Sequence, residues 1–325
     1  MKKLKSYLLG ILGLIIALTL PLYIPEGYLF LFGMLFLFLI LVISWDVIVG
    51  YTGQVNLGHT VFVGIGAYTA ALLQVPSRLE SFSPLLASLP PQNQFLSILI
   101  GGIVAALFGA AIGFITLRLK GYYFALVTAI LPLVFIQTVY VFSDVFGGEE
   151  GFSVGLERAL SQSPLVRYYI AFAIFLICFL AIRYIVKSDI GYKFMAVRDD
   201  EELAEALGID VVKYKVLSFT ISSFFAGIAG ATIVLYRITA GPDLYDIPLM
   251  LMIILSAVLG GLGTIYGPLI GGIAVYLLKN LFLKTVIPHG MMINDEIVLY
   301  AILIAVALLS PEGIWHRVKS YVQRS

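Results

Sequence analysis

Residues that bind metals or form disulfides are scarce in this chain of 325 residues, which has one cysteine and three histidines. Cys178 has no partner for an intramolecular disulfide. His59, His289 and His316 lie far apart and have no cysteine or carboxylate neighbours at ligand spacing. Because zinc-type sites need such clustered ligands, we predict that the chain has no metal site.

Charged residues and catalytic motifs are also scarce. Only 12% of the residues are charged and the formal net charge is +1, which gives no basic surface for nucleic acid. The sequence has no G-x-x-x-x-G-K-[ST] loop for nucleotide phosphates and no recognisable Ser/His/Asp arrangement. We therefore predict that the chain is not an enzyme, has no catalytic residues and binds no cofactor of its own.

Long apolar runs dominate the sequence. It is 61% hydrophobic, with a mean hydropathy of +1.03. Runs of about 20 apolar residues match a bilayer core of about 30 Å, and helices satisfy their own backbone groups in lipid. The sequence predicts a single all-α, polytopic domain over residues 1–325, embedded in the lipid bilayer. About ten spans are placed at 7–24, 28–49, 58–75, 96–117, 122–142, 168–186, 216–237, 247–263, 266–283 and 297–310.

Lysine and arginine predict the orientation of these spans. With the N-terminus inside, 14 of the 20 Lys and Arg residues fall in cytoplasmic segments, as the positive-inside rule requires. An even number of spans returns the C-terminus to the cytoplasm. The longest cytoplasmic connection is then 187–215, and 143–167 is an outer loop.

Small residues indicate where helices approach each other closely. Gly101, Ala105, Gly109 and Gly113 follow one another at four-residue spacing, which forms a stripe on one helix face. We expect this stripe to pack within the bundle rather than against another subunit. The glycines of 260–272 instead indicate a broken or re-entrant helix.

A polar stretch, GYTGQVNLGHT, occupies residues 50–60 between two apolar runs. The apolar part after it, 61–75, gives only about 22 Å of helix, so the polar stretch should lie within membrane depth. Irregular backbone there must be buried in protein or line a watery cavity. Two roles remain open for Thr52, Gln54, Asn56 and His59: capping a broken helix, or lining a translocation path. We predict that Gln54, Asn56 and His59 are at least partly accessible from such a path.

The connection 187–215 contains DDEELAEALG, a short helix with both ends marked. Asp199 is predicted as the N-cap, with Glu202 three residues later as in a capping box, and Gly208 as the left-handed residue at the C-terminus. Leu203 and Leu207 share one face. This helix either docks into a groove of a partner or rests on the bundle's own surface.

The same segment resembles a known motif. Glu202-Leu203-Ala204, three residues and Gly208 resemble the E-A-A-x-x-x-G coupling motif of ABC-importer permeases, with Leu in place of the first Ala. Further segments come in the order found in the branched-chain amino-acid permease family, and the chain resembles in particular the larger of its two membrane subunits. These segments are WDVIVGYTGQVNLGHTVFVGIGAYTAALL (45–73), GYYFALVT (121–128), FGGEEGFSVGL (146–156), AVRDDEELAEALGIDVVKYK (196–215), SSFFAGIAGA (222–231), LGGLGTIYGPLIGG (259–272) and SPEGIW (310–315).

This resemblance implies a heterodimer with a second permease subunit in the cell (inner or plasma) membrane. It further implies two cytoplasmic ATPase subunits, which use the ATP, and an extracytoplasmic solute-binding protein. The motif residues Glu202, Leu203, Ala204, Leu207 and Gly208 would contact an ATPase. Branched-chain or hydrophobic amino acids are the expected solutes, and permeases for urea and short amides look similar.

Two further features bear on function. Glu149 and Glu150 lie among glycines in the outer loop 143–167, which suggests a turn that displays carboxylates. This turn is either a contact for the binding protein or an ordinary solvated loop. Asp46, close to the end of an apolar run, is either a residue at the membrane surface or the working group of an ion-coupled carrier, the less favoured alternative to an ABC permease.

Overall fold

The computed structural model describes residues 13–117 and 122–283, together with 297, 298, 300, 301, 304 and 305. Its helices are α1 (Gly13–Leu22), α2 (Glu26–Thr52), α3 (His59–Gln74), α4 (Pro84–Ala87), α5 (Gln94–Thr116), α6 (Tyr122–Val141), α7 (Ser143–Phe146), α8 (Pro164–Val186), α9 (Asp189–Asp199), α10 (Glu201–Ala206), α11 (Val211–Arg237), α12 (Ile247–Gly260) and α13 (Gly267–Leu277), which continues as a π-helix over Leu278–Leu283. Short 3₁₀ turns occupy Pro76–Leu79, Leu156–Arg158 and Pro242–Tyr245.

Five of the described helices, α2, α5, α6, α8 and α11, are long and apolar enough to cross a membrane. They correspond to the predicted second, fourth, fifth, sixth and seventh spans. α3 and α12 have 16 and 14 residues, about 24 and 21 Å at 1.5 Å per residue, so each is shorter than a bilayer core. The prediction of an all-α polytopic membrane protein is confirmed in this coarse form. The number of spans stays a prediction, because residues 7–12 of the first span and most of the tenth lie outside the described residues.

α2 and α11 form the centre of the bundle. From Leu35 to Thr52 every residue of α2 is buried, and α11 is buried along most of its second half. α6 and α8 lie at the perimeter and expose large apolar side chains such as Leu126 and Ile177, as surfaces that face lipid do.

The stripe of small residues on α5 packs inside this bundle, as predicted. A methyl group on Gly101 would lie 2.7 Å from the Gly66 carbonyl oxygen, and one on Gly113 would lie 2.9 Å from the Phe219 ring. Contacts this short leave room for glycine only. The stripe thus allows α5 to lie against α3 and α11.

Strands β1 (Phe152–Ser153) and β2 (Thr239–Ala240) pair antiparallel, with Phe152 opposite Ala240. This pair, which the all-α prediction did not include, joins the predicted outer loop to the segment after α11. We call this end of the bundle the sheet end, and the opposite end, which carries α9 and α10, the α10 end.

The predicted break at 260–272 is confirmed, and it separates two short helices. A methyl group on Gly260 would overlap the Gly267 carbonyl, and one on Gly271 would overlap the Ser256 carbonyl, so α12 and α13 run antiparallel in close contact. The loop 261–266 between them begins with a glycine at φ +108°. It reaches α2, where the Gly263 N–H donates to the Asp46 carboxylate at 2.9 Å.

Candidate functional site

The polar stretch turns back into the bundle immediately after α2. Gly53, at φ +72°, ends α2 by donating its N–H to Val49 O, a conformation that glycine adopts without strain. Ser44 Oγ lies 3.0 Å from His59 Nε2, and Trp45 Nε1–H donates to Asn56 O at 2.7 Å. Ser44 precedes the end of α2 by roughly 12 Å of helix. The loop 53–58, which we call the polar loop, therefore lies alongside the last turns of α2, and its position at membrane depth stays a prediction.

The four predicted site residues of this stretch are buried in the described chain. Thr52, Asn56 and His59 are 0% exposed and Gln54 is 8% exposed, whereas Val55 is 46% exposed. Their contacts cap and brace irregular backbone: Thr52 Oγ1 lies 2.7 Å from Ile48 O, and Asn56 Oδ1 accepts the Gly58 N–H. These contacts support the capping role. A place on a translocation path stays a prediction for all four residues, and it requires a conformation or an assembly in which they become accessible.

α6 supports the polar loop from the other side. The Thr128 hydroxyl accepts the N–H of Leu57 at 3.1 Å. Pro132, inside α6, has no N–H, so the Thr128 carbonyl lacks its usual helical donor. A methyl group on Gly58 would overlap that same carbonyl oxygen. Gly58 therefore allows the loop to lie directly against the Thr128 carbonyl of α6.

Asp46 lies inside the protein. It is 2% exposed, and its carboxylate fixes the α12–α13 loop through the N–H of Gly263. Its contacts are those of a residue that holds two elements together.

The N-cap of α10 is Asp200 and not Asp199. The Asp200 carboxylate accepts the N–H of Leu203 at 3.0 Å, and its backbone, at φ −161° and ψ 110°, is extended, as an N-cap requires. Asp199 is the last residue of α9, and its carboxylate accepts bonds from the Arg198 guanidinium. The shift by one residue also removes the predicted capping box, because the third residue of α10 after the N-cap is Leu203 and not Glu202.

The C-terminus of α10 is as predicted. Gly208 has φ +84°, the Ile209 N–H donates to Ala204 O, and the Gly208 N–H donates to Glu205 O. This is the Schellman arrangement, which favours glycine at the left-handed position.

The predicted coupling residues divide between two faces of α10. Leu203 and Leu207 are 58% and 73% exposed, whereas Ala204 is 2% exposed. Glu202 and Gly208 are exposed as well. The leucines therefore do not rest on the bundle's own surface, and Ala204 is the residue by which α10 packs onto it.

Three charged residues that the sequence analysis did not identify connect the α9–α10 segment to α11, to the end of α2 and to the polar loop. Lys215 Nζ lies 2.5 Å from Glu201 Oε1, the amide of Gln54 donates to the same oxygen at 3.2 Å, and Arg198 Nη1 donates to Gly50 O at 2.8 Å. A lysine shortly before the apolar part of α11 was the available signal, since buried charges require partners. Its partner could not be read from the sequence.

At the sheet end, the predicted turn that displays carboxylates is present. Gly147, Gly148 and Gly151 have positive φ, and Glu149 and Glu150 are exposed. Arg78 anchors the segments on both sides of this turn. Its guanidinium donates to Asp144 O and lies 4.2 Å above the centre of the Phe152 ring.

Within the described ranges, no group of three or more His, Cys, Asp or Glu residues could hold a metal ion. His289 and His316 lie outside those ranges. Cys178 is buried and makes no disulfide.

Comparisons with known proteins agree with these features. Residues 27–307 match the family described as "Branched-chain amino acid transport system / permease component". Two proteins similar to this chain are the high-affinity branched-chain amino acid transport system permease protein LivM of Salmonella typhimurium and that of Escherichia coli K12. Each is 26% identical over 310 residues, covering 86% of this chain and 68% of the relative.

The permease protein LivH of the same system in Salmonella typhimurium is 24% identical over 299 residues, covering 86% of this chain and 91% of the relative. No solved structure matches the chain significantly. With a match that covers most of its length, the chain belongs to the branched-chain amino acid transport permease family.

Proposed function

We propose that the chain is a membrane-spanning permease subunit of an ABC importer. It moves branched-chain or other hydrophobic amino acids that an extracytoplasmic binding protein delivers, and separate ATPase subunits drive it. The observation that carries the proposal is α10, a short helix capped at both ends whose two leucines point away from the bundle. Two exposed leucines on so short a helix gain free energy by entering a groove of a partner.

The orientation follows from this assignment. The α10 end faces the cytoplasm, where the ATPase subunits bind ATP, and the sheet end faces outward, in the cell (inner or plasma) membrane. This chain itself holds no nucleotide. The second permease subunit is a protein of the LivH kind, since relatives of both kinds carry names of permease components of one transport system.

The test is uptake of radiolabelled leucine into proteoliposomes that contain this chain with its second permease, ATPases and binding protein. Leu203→Asp places a charge in the apolar groove, and Gly208→Val forces a branched side chain into a left-handed position. Both changes should abolish ATP-driven uptake while the bundle stays folded. Leu85→Asp, at an exposed leucine of α4, is the control and should transport normally.

The outcomes are distinct. Normal uptake by both α10 variants would remove α10 as the ATPase contact. Uptake by this chain alone, without ATPases, would replace the ABC proposal with a self-sufficient carrier. Uptake of urea or short amides in preference to leucine would keep the ABC proposal and change its solute.

We further propose that the Glu149–Glu150 turn contacts the binding protein. Reversing both charges to lysine should weaken docking most at low salt, because exposed charges are screened within about 10 Å at 0.1 M salt. Glu26→Lys, an exposed acid in the first turn of α2, is the control. Unchanged docking at low salt would show that the turn is an ordinary solvated loop.

A further inference from the structure

The α9–α10 segment meets the end of α2 and the polar loop at a cluster of hydrogen bonds. We call this cluster the polar junction, and its five residues are Gly50, Gln54, Arg198, Glu201 and Lys215. One carboxylate oxygen, Glu201 Oε1, receives both the Lys215 ammonium at 2.5 Å and the Gln54 amide at 3.2 Å. The Arg198 guanidinium adds a bond to Gly50 O at 2.8 Å. Two successive helices, α9 and α10, are thus each tied to the end of α2.

Burial makes the Glu201 link a demanding one. The side chain of Lys215 is 4% exposed and that of Glu201 is 36% exposed. A buried ammonium without a partner is strongly unfavourable, so Lys215 holds the Glu201 carboxylate in place. Since Gln54 bonds the same oxygen, the position of Glu201 also determines where the first half of the polar loop lies.

Glu201 and the exposed leucines are close neighbours on a very short helix. α10 has six residues, too few to be stable alone in water, so its position depends on contacts with its surroundings. Leu203 and Leu207 point outward, whereas Glu201 reaches inward to Lys215 and Gln54. A partner that pulls on the leucines therefore also moves the carboxylate.

The α12–α13 loop meets the same place. A methyl group on Gly263 would lie 2.8 Å from Arg198 Nη1 and 2.6 Å from Gly50 O. The N–H of Gly263 is held by Asp46. Three irregular parts of the bundle, namely the polar loop, the α12–α13 loop and the α9–α10 connection, therefore converge on the polar junction.

We propose that Glu201 is a positioning residue for transport: it transmits displacement of α10 to the polar loop through Lys215 and Gln54. The inference rests on the proposed function, because α10 must be moved by ATPase subunits. Glu205 on the same helix differs in role, because its side chain is exposed and has no hydrogen-bond or ion-pair partner among the described residues. It is not one of the predicted coupling residues, so it is the matched control for Glu201.

The experiment compares Glu201→Gln with Glu205→Gln in the complete transporter. It measures leucine uptake, ATP hydrolysis, co-purification of the ATPases and the melting temperature. Glu201→Gln should lower uptake per ATP hydrolysed by about tenfold, the order expected for losing a charged hydrogen bond, while the ATPases still co-purify. Glu205→Gln should match the wild type.

Two more variants keep the test decisive if Glu201→Gln folds poorly. Gln54→Leu leaves the Glu201–Lys215 pair intact and removes the amide that links the loop to Glu201, together with the bond of that amide to Thr52 O at 3.4 Å. It should therefore also lower uptake per ATP hydrolysed. Exchanging the charges in Glu201→Lys with Lys215→Glu should restore uptake, because the Gln54 amide can turn and accept from a lysine.

Equal uptake per ATP hydrolysed in Glu201→Gln, Gln54→Leu and Glu205→Gln would overturn the inference. So would a parallel fall of uptake, co-purification and melting temperature, which would make Glu201 a structural residue only. Absence of ATP-dependent uptake by the wild type would instead refute the proposed function, and the inference with it. The wild-type measurement therefore distinguishes the two failures.

Discussion

The close crossing of α3 and α11 makes a strong prediction for Gly230→Ala. Gly230 lies on α11 where it crosses α3. A methyl group there would overlap the Val63 carbonyl oxygen and lie 2.7 Å from its carbon and 3.0 Å from Val63 Cα. All three atoms are backbone, so none can swing aside. Because carbon atoms pack at about 3.5–4.0 Å, the two helices would have to separate by roughly 1 Å.

Such overpacking typically costs about 1–3 kcal/mol, and here it opposes a gain in helix propensity of up to about 1 kcal/mol for Gly→Ala. We expect the melting temperature of the detergent-purified protein to fall. Gly27→Ala is the matched control, since a methyl group on Gly27 in α2 meets nothing within 4 Å; it should be neutral or slightly stabilising. If Gly230→Ala melts at or above the temperature of Gly27→Ala, the close crossing of α3 and α11 is wrong.

Two further predictions concern the polar loop. Thr128→Val leaves the N–H of Leu57 without its acceptor and should destabilise the protein by about 1–3 kcal/mol. The control is Thr138→Val, which removes a hydroxyl that bonds within α6 and should destabilise the protein clearly less in the same thermal assay. Equal destabilisation by the two variants would contradict the contact between the loop and Thr128. In a background without the native cysteine, Val55→Cys should react quickly with a water-soluble thiol reagent and His59→Cys slowly in the purified chain. Fast reaction of His59→Cys only in one state of the ATPase cycle would place that residue on a solute path, and protection in every state would leave it the capping role.

The long helices could be predicted from the sequence because their signal is local. An apolar run such as 96–117 is long enough to span a bilayer wherever it lies in the bundle, and the structure has α5 there. Gly208 is another local case: its left-handed conformation is required by the end of one short helix and needs no distant contact. The stripe on α5 was also predictable in kind, because close helix packing needs small residues at four-residue spacing.

The cap of α10 shows where local reasoning reaches its limit. Asp199 and Asp200 are both good N-cap residues. The choice between them depends on where α9 ends, and α9 runs through Asp199. Two adjacent signals of the same kind could not be ranked until the preceding helix was known.

The sequence by itself determined that the chain is a polytopic helical membrane protein, that it has a polar stretch within the bundle, and that a short capped helix lies outside the long spans. Only the tertiary structure decided what these parts contact. Gln54 and Glu201 are 147 residues apart, and a carboxylate accepts equally well from many donors. The physical reason is that buried polar groups form hydrogen bonds in folded proteins, whereas the identity of each hydrogen-bond partner depends on which helices pack together.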